Sequence, residues 1–185
     1  TWLLLRRRAA FLGGLCCFAA AALVHAGHVC YARQQRVLLV YNINRHTAID
    51  LVQGRRVTFA GDTAVLRNAA LLQQYLLPAR LPFYITQQRA LAGVQCLSFA
   101  GRRLVIVQDK LPAASPAKKF KTDYVLLSHN PDVAISQLLQ HFDAQLFIFD
   151  ASCTPGKIKQ WKNDCEALTL RFFSVPEQGA FVVNF

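Results

Sequence analysis

Two apolar runs near the C-terminus, residues 124–128 (YVLLS) and 146–149 (LFIF), constrain this chain more than any other feature. A strand with one wet face alternates apolar and polar residues; an unbroken apolar run fits a strand covered on both faces. Between the runs, Ile135, Leu138, Leu139 and Phe142 fall at i, i+3, i+4 and i+7, a single helix face. Asn130 followed by Pro131 supplies a start signal for that helix. Thr154 and Pro155 repeat it, and the next helix turns Ile158, Trp161, Cys165 and Leu168 inward. Residues 170–175 and 180–183 read as closing strands of the sheet. The order is β-α-β-α-β-β, which predicts an α/β domain with helices outside the sheet.

Upstream, the periodicity changes to hairpins. Residues 37–41, 46–52 and 56–60 read as three strands joined by turns at 42–45 and 53–54. Asp62 or Thr63 caps a helix carrying Val65, Leu66, Ala69, Leu72 and Leu76, which Pro78 ends. Residues 82–86 read as a short strand, and 96–99 pairs with 102–107 across Ala100 and Gly101. Residues 110–122 form a Pro/Ala/Lys loop. The pattern suits either two sheets or one mixed sheet over residues 37–185.

The N-terminal part is different in kind. Residues 9–32 hold no charged side chain, and a helix of that length spans roughly 35 Å, enough for a hydrocarbon core of about 30 Å. The segment is therefore expected to be a transmembrane helix, with residues 1–8 as its basic flank and 33–36 as a linker. The other reading of the run is a signal peptide. Arg6, Arg7 and Arg8 precede the run, against Arg33 and Arg36 after it. This bias places the N-side in the cytoplasm and residues 37–185 on the periplasmic or extracellular side of the inner or plasma membrane. A chain with no Met reads as the tail of a longer protein. None of the six cysteines forms a C-x-x-C pair, so free thiols are expected and a zinc ribbon has no support.

The order of elements over residues 37–185 resembles the metallo-β-lactamase-like domain that ends ComEC-type competence proteins, which internalise DNA in natural transformation. The motifs that carry the resemblance are the opening hairpins with Ala60-Gly61-Asp62, the strand ending in Asp109, Ser128-His129-Asn130, the Asp150-Ala151-Ser152 loop, the Trp161-Lys162 helix and the closing Gly179-Ala180. The resemblance implies DNA as a non-specific, backbone-contacting partner. It also implies the remaining membrane helices of a parent channel, with residues 9–32 as the attachment.

Chemically the chain departs from that pattern. The hydrolases of this fold bind two metals through a His-x-His-x-Asp-His loop and further His and Asp ligands, because several imidazoles and carboxylates must converge to activate a water. The five histidines here are His25, His28, His46, His129 and His141, and that loop is missing. Only Asp109 and His129 stand where family ligands fall, as vestigial positions. The expectation is a degenerate metallo-β-lactamase-like domain with no catalytic residues, metal or cofactor, serving a structural or DNA-guiding role. The alternatives are a membrane-anchored, metal-dependent nuclease acting on the strand that is not transported, and a purely structural domain packed on the channel.

The chain has 21 Lys and Arg against 10 Asp and Glu. Arg55 and Arg56, Arg102 and Arg103, and Lys118, Lys119 and Lys121 cluster at turns or on the long loop. On a shared face they would contact phosphates without reading sequence.

Overall fold

The structure, a computed structural model, describes residues 14–15, 17–25, 27, 35–112, 116 and 118–185. Among the described residues, ten strands form two five-stranded sheets. The first holds β1 (Arg36–Val40), β2 (Ala48–Gln53), β3 (Arg56–Gly61), β4 (Gln87–Leu91) and β10 (Phe181–Asn184), in the order β10-β1-β2-β3-β4. The second holds β5 (Cys96–Phe99), β6 (Arg102–Val107), β7 (Phe120–Leu127), β8 (Phe142–Phe149) and β9 (Phe172–Ser174), in chain order. Both are mixed. β4 runs parallel to β3 in an otherwise antiparallel first sheet, and β5 is the antiparallel edge of a parallel second sheet.

The sheets pack face to face. Leu38, Val40, Ile49 and Leu51 from the first meet Leu104, Ile106, Leu126 and Ile148 from the second. The outer face of the second sheet, with Val125, Leu127, Phe147 and Phe149, lies under two helices that contribute Ile135, Leu138, Ile158 and Trp161. The outer face of the first sheet, with Val37, Leu39, Val57 and Phe59, lies under a helical stretch that contributes Val65 and Leu76. The layers therefore run helix, sheet, sheet, helix. Their stacking explains the apolar runs, since Val125, Leu126 and Leu127 point alternately to opposite faces and all three are buried.

The helical stretch differs from the single helix that the periodicity predicts. It breaks into α1 (Thr63–Arg67), α2 (Ala69–Leu71), a wide turn at Leu72–Leu76, α3 (Leu77–Arg80) and a tight turn at Leu81–Phe83. Asn68 interrupts it, because its side chain accepts from the N–H groups of Ala70 and Leu71 and starts a new helix. In the wide turn the Leu77 N–H reaches back to the Leu72 carbonyl. Pro78, with no N–H to give, then sits in the first turn of α3 instead of ending the helix. The strand expected at 82–86 is also displaced. Pro82 lies in the tight turn, and the strand forms at Gln87–Leu91.

Three further corrections concern the second half. The helix expected from Asn130 begins only at Ile135, as α4 (Ile135–His141), where Gln137 Oε1 accepts from the Ala134 N–H at 3.1 Å. Asn130 is instead left-handed (φ 55°) and its Oδ1 accepts from the backbone N–H and hydroxyl of Thr154. In α5 (Pro155–Ala167) the inward face is Ile158, Trp161 and Cys165, while Leu168 is exposed just past the helix end. The two closing strands belong to different sheets, β9 to the second and β10 to the first, separated by α6 (Val175–Gln178).

Of the expected membrane helix at 9–32, residues 14–15, 17–25 and 27 are described; its basic flank at 1–8 and residues 33–34 of the linker lie outside the described residues, and Arg36 already belongs to β1. Within that region residues 17–25 are helical, with Phe18, Leu23 and Val24 exposed. Among the described residues no helix is long and apolar enough to cross a membrane.

Candidate functional site

β3, β7 and β8 end on the same edge of the two-sheet sandwich, and the residues just beyond them converge. Asp62 follows β3, Ser128 and His129 follow β7, and Asp150 to Ser152 follow β8, while His46 and Thr47 lead into β2. The first sheet meets the second here through backbone as well, since the Arg45 N–H donates to the Ala151 carbonyl at 3.1 Å.

Thr47 is the hub. Its hydroxyl donates to Asp150 Oδ2 at 2.5 Å and lies 3.2 Å from Ser152 Oγ and 3.4 Å from His129 Nδ1. Ser152 Oγ also donates to Asp150 Oδ2, at 2.8 Å, and accepts from the His129 N–H at 2.8 Å. Asp62 Oδ2 accepts from the Thr47 N–H at 2.9 Å and faces His129 Nε2 at 3.3 Å and His46 Nδ1 at 3.5 Å. Asp62 thus leaves the cap of α1 unmade, because its carboxylate is spent on this cluster. His129 is held left-handed (φ 59°), a conformation that costs a non-glycine residue energy and that the Ser152 contact supports.

Asp150 is fully buried. Burial pushes its carboxyl up to about 6, against the pull of the hydrogen bonds from Thr47, Ser152 and the Ala151 backbone. Its Oδ1 atom has no hydrogen-bond partner.

The chemistry open to this arrangement follows from access. Thr47, His129 and Asp62 trace a hydroxyl–imidazole–carboxylate chain, but the hydroxyl is fully buried and gives its proton to Asp150. A nucleophile must sit within about 3.2 Å of its base and reach the substrate, and Thr47 does neither. The imidazoles and the carboxylate that reach solvent are His129, His46 and Asp62. Two imidazoles and one carboxylate, which already holds the Thr47 N–H, do not fit a dinuclear hydrolytic centre. Among the described residues no group of three or more His, Cys, Asp or Glu is disposed to hold a metal ion.

Of the two vestigial positions, His129 is in the cluster. Asp109 lies beyond β6, exposed and outside it. In the sequence Asp62 reads as a candidate helix cap and Asp150 as part of a loop motif. The usable signal was position, since both directly follow strands. Thr47 and Ser152 carried no comparable signal.

The basic residues gather at the other end of the sandwich. Arg56, Arg102 and Lys121 stand at the starts of β3, β6 and β7, the strands that run toward the cluster. Strands of this length put the two ends roughly 20–25 Å apart. Arg55 donates to the Tyr84 carbonyl at 3.1 Å, and Arg102 pairs with Asp123 at 2.5 Å. Arg103 donates to the Lys121 carbonyl, and its guanidinium lies over the Phe120 ring. Lys118, Lys119, Lys121 and Arg56 are exposed and free of ion pairs among the described residues.

Residues 38–185, from β1 to the last residue, match the family described as ComEC C-terminal domain. No curated protein and no solved structure matches the chain. The matched span takes in both sheets, all three cores and the polar cluster. The chain therefore belongs to the ComEC C-terminal domain family, which ties it to DNA uptake in competence.

Proposed function

We propose that this chain is the C-terminal domain of a membrane DNA-uptake channel protein and acts there without hydrolysing DNA, as a structural or DNA-guiding element. The observation that carries the reading is the closed Thr47–Asp150–Ser152 cluster. At the edge where a catalytic centre would stand, hydroxyls and a buried carboxylate are spent on one another. The four-layer order supports a degenerate metallo-β-lactamase-like fold. Residues 9–32 would anchor the domain among the remaining membrane helices of the channel, with residues 37–185 on the periplasmic or extracellular side. The basic end offers its partner phosphate-binding chemistry and no sequence readout.

The test is cleavage of labelled single- and double-stranded DNA by the purified chain, with Mn or Zn titrated in. No cleavage above a metal-free control is expected. A second reading, a metal-dependent nuclease, is favoured by one observation: Asp62 Oδ2 faces two imidazoles within 3.5 Å. Metal-dependent cleavage that disappears in both His129→Ala and Asp62→Ala would establish it and end the non-hydrolytic reading.

A further inference from the structure

The described domain begins at the basic end. The Gly54 N–H donates to the Gln35 carbonyl at 2.8 Å, and the Phe185 N–H donates to the Arg36 carbonyl at 2.9 Å. The incoming chain therefore lies beside the β2–β3 turn that carries Arg55 and Arg56. Two residues separate Ala32, the end of the uncharged run, from Gln35, and the three chain steps between them reach at most about 10 Å. Whatever surface holds residues 9–32 is met first by this end of the domain.

The composition of that end distinguishes its partner. Beside the arginines stand large exposed apolar side chains. Leu81 is 73% exposed and Tyr84 is 71% exposed, and the Tyr84 carbonyl is the atom that Arg55 grips. Phe185 is 40% exposed next to Arg36. A phosphodiester track asks for cations and hydrogen-bond donors and gains little from an exposed leucine. A bilayer interface takes both, with aromatic rings at headgroup depth and arginines on anionic phosphates. Acids also stand at this end. Asp123 is occupied by Arg102, and exposed Asp143 lies beside Lys121 across β7 and β8.

We infer that the end of the domain bearing Arg36, Arg55, Arg56, Leu81, Tyr84 and Phe185 docks on an anionic phospholipid surface. The polar cluster then faces away from the bilayer, roughly 20–25 Å above it. The inference rests on residues 9–32 being a membrane segment.

The experiment uses the full chain with Cys16, Cys17, Cys30 and Cys96 changed to Ser, reconstituted into vesicles. A fluorophore is attached at Tyr84→Cys or, at the opposite end, at Asp109→Cys. Quenching by nitroxide-headgroup lipid is read in phosphatidylglycerol-containing and in pure phosphatidylcholine vesicles. In anionic vesicles the label at 84 should be quenched at least about threefold more than the label at 109. Arg55→Glu with Arg56→Glu should abolish the difference. Equal quenching at both positions in a chain that resists alkaline carbonate extraction would overturn docking while leaving the membrane segment standing. Release by carbonate would overturn the segment, and docking with it. If the Glu variants lose binding of labelled DNA and keep the quenching, the arginines serve DNA and the inference fails.

Discussion

Arg80 and Asp50 form a two-toothed ion pair in the interior, with Arg80 Nε 2.7 Å from Asp50 Oδ2 and Nη2 2.8 Å from Oδ1. Arg80 comes from α3 and Asp50 from the middle of β2, so the pair clamps the helical stretch onto the first sheet. The Tyr41 hydroxyl donates to the same carboxylate at 2.7 Å, and Gln88 accepts from Arg80 at 3.1 Å. Burial and the neighbouring Asp50 raise the Tyr41 hydroxyl above its usual range, so it stays a donor. Arg80→Met should cost about 3–5 kcal/mol, because it leaves the Asp50 charge buried without a cation. Arg80→Met combined with Asp50→Leu should recover much of that loss. Urea unfolding of both variants measures the difference.

The pH dependence of stability should show the Asp150 carboxyl. Burial holds its folded value near 6, above the roughly 3.9 of an unfolded aspartate. Between those values the folded state binds more protons than the unfolded one, so this group's contribution falls as pH rises from about 4 to about 6. The loss is on the order of 2–3 kcal/mol and is complete above that window. Asp150→Asn should remove this slope, which chemical denaturation at half-unit pH steps would reveal. An unchanged slope in Asp150→Asn would mean that Asp150 ionises as easily folded as unfolded.

Gly61 ends β3 at φ 135°, and a Cβ there would collide with the carbonyl oxygen of Thr47. The same residue pairs with Ala48 across the sheet, directly before Asp62. Gly61→Ala should destabilise the fold by more than about 1 kcal/mol, through backbone strain and the shift forced on Thr47. For a chain of this size that lowers the melting temperature by at least about 2–4 °C. A variant that melts with the parent chain would show that the Thr47 strand end gives way freely.

The thiols should divide by burial. Cys153 and Cys165 are buried, and burial pushes their thiols up to about 11 and about 12. Cys96 is exposed. A maleimide at neutral pH should therefore label Cys96 in the folded domain, and Cys153 and Cys165 only after denaturant is added. Mass spectrometry of digested protein reads all three sites. Labelling of Cys165 at the rate of Cys96 without denaturant would show that α5 detaches readily from the second sheet.

Local patterns make much of the architecture legible in the sequence. The runs at 124–128 and 146–149 announced strands buried on both faces, and β7 and β8 are the paired centre of the second sheet. The Trp161 helix was legible from its spacing, though the Trp161 indole bond to the Val133 carbonyl was not. Periodicity reports which face of an element is covered, and it is silent on what covers it. The wide turn at Leu72–Leu76, the parallel pairing of β4 with β3 and the division of β9 and β10 between two sheets therefore went unread. Asn130 misled for a related reason: its side chain reaches Thr154, 24 residues away, instead of its own helix.

The sequence by itself determined the α/β class, the uncharged N-terminal run, the basic excess and the missing metal-binding loop, since each is a property of residue order or composition. Only the tertiary structure decided that Thr47 meets Asp150, that Asp62 faces His129, and that the arginines share the end where the chain enters. Those residues lie far apart along the chain, and they meet because strand register and sheet stacking carry the strand ends to common edges.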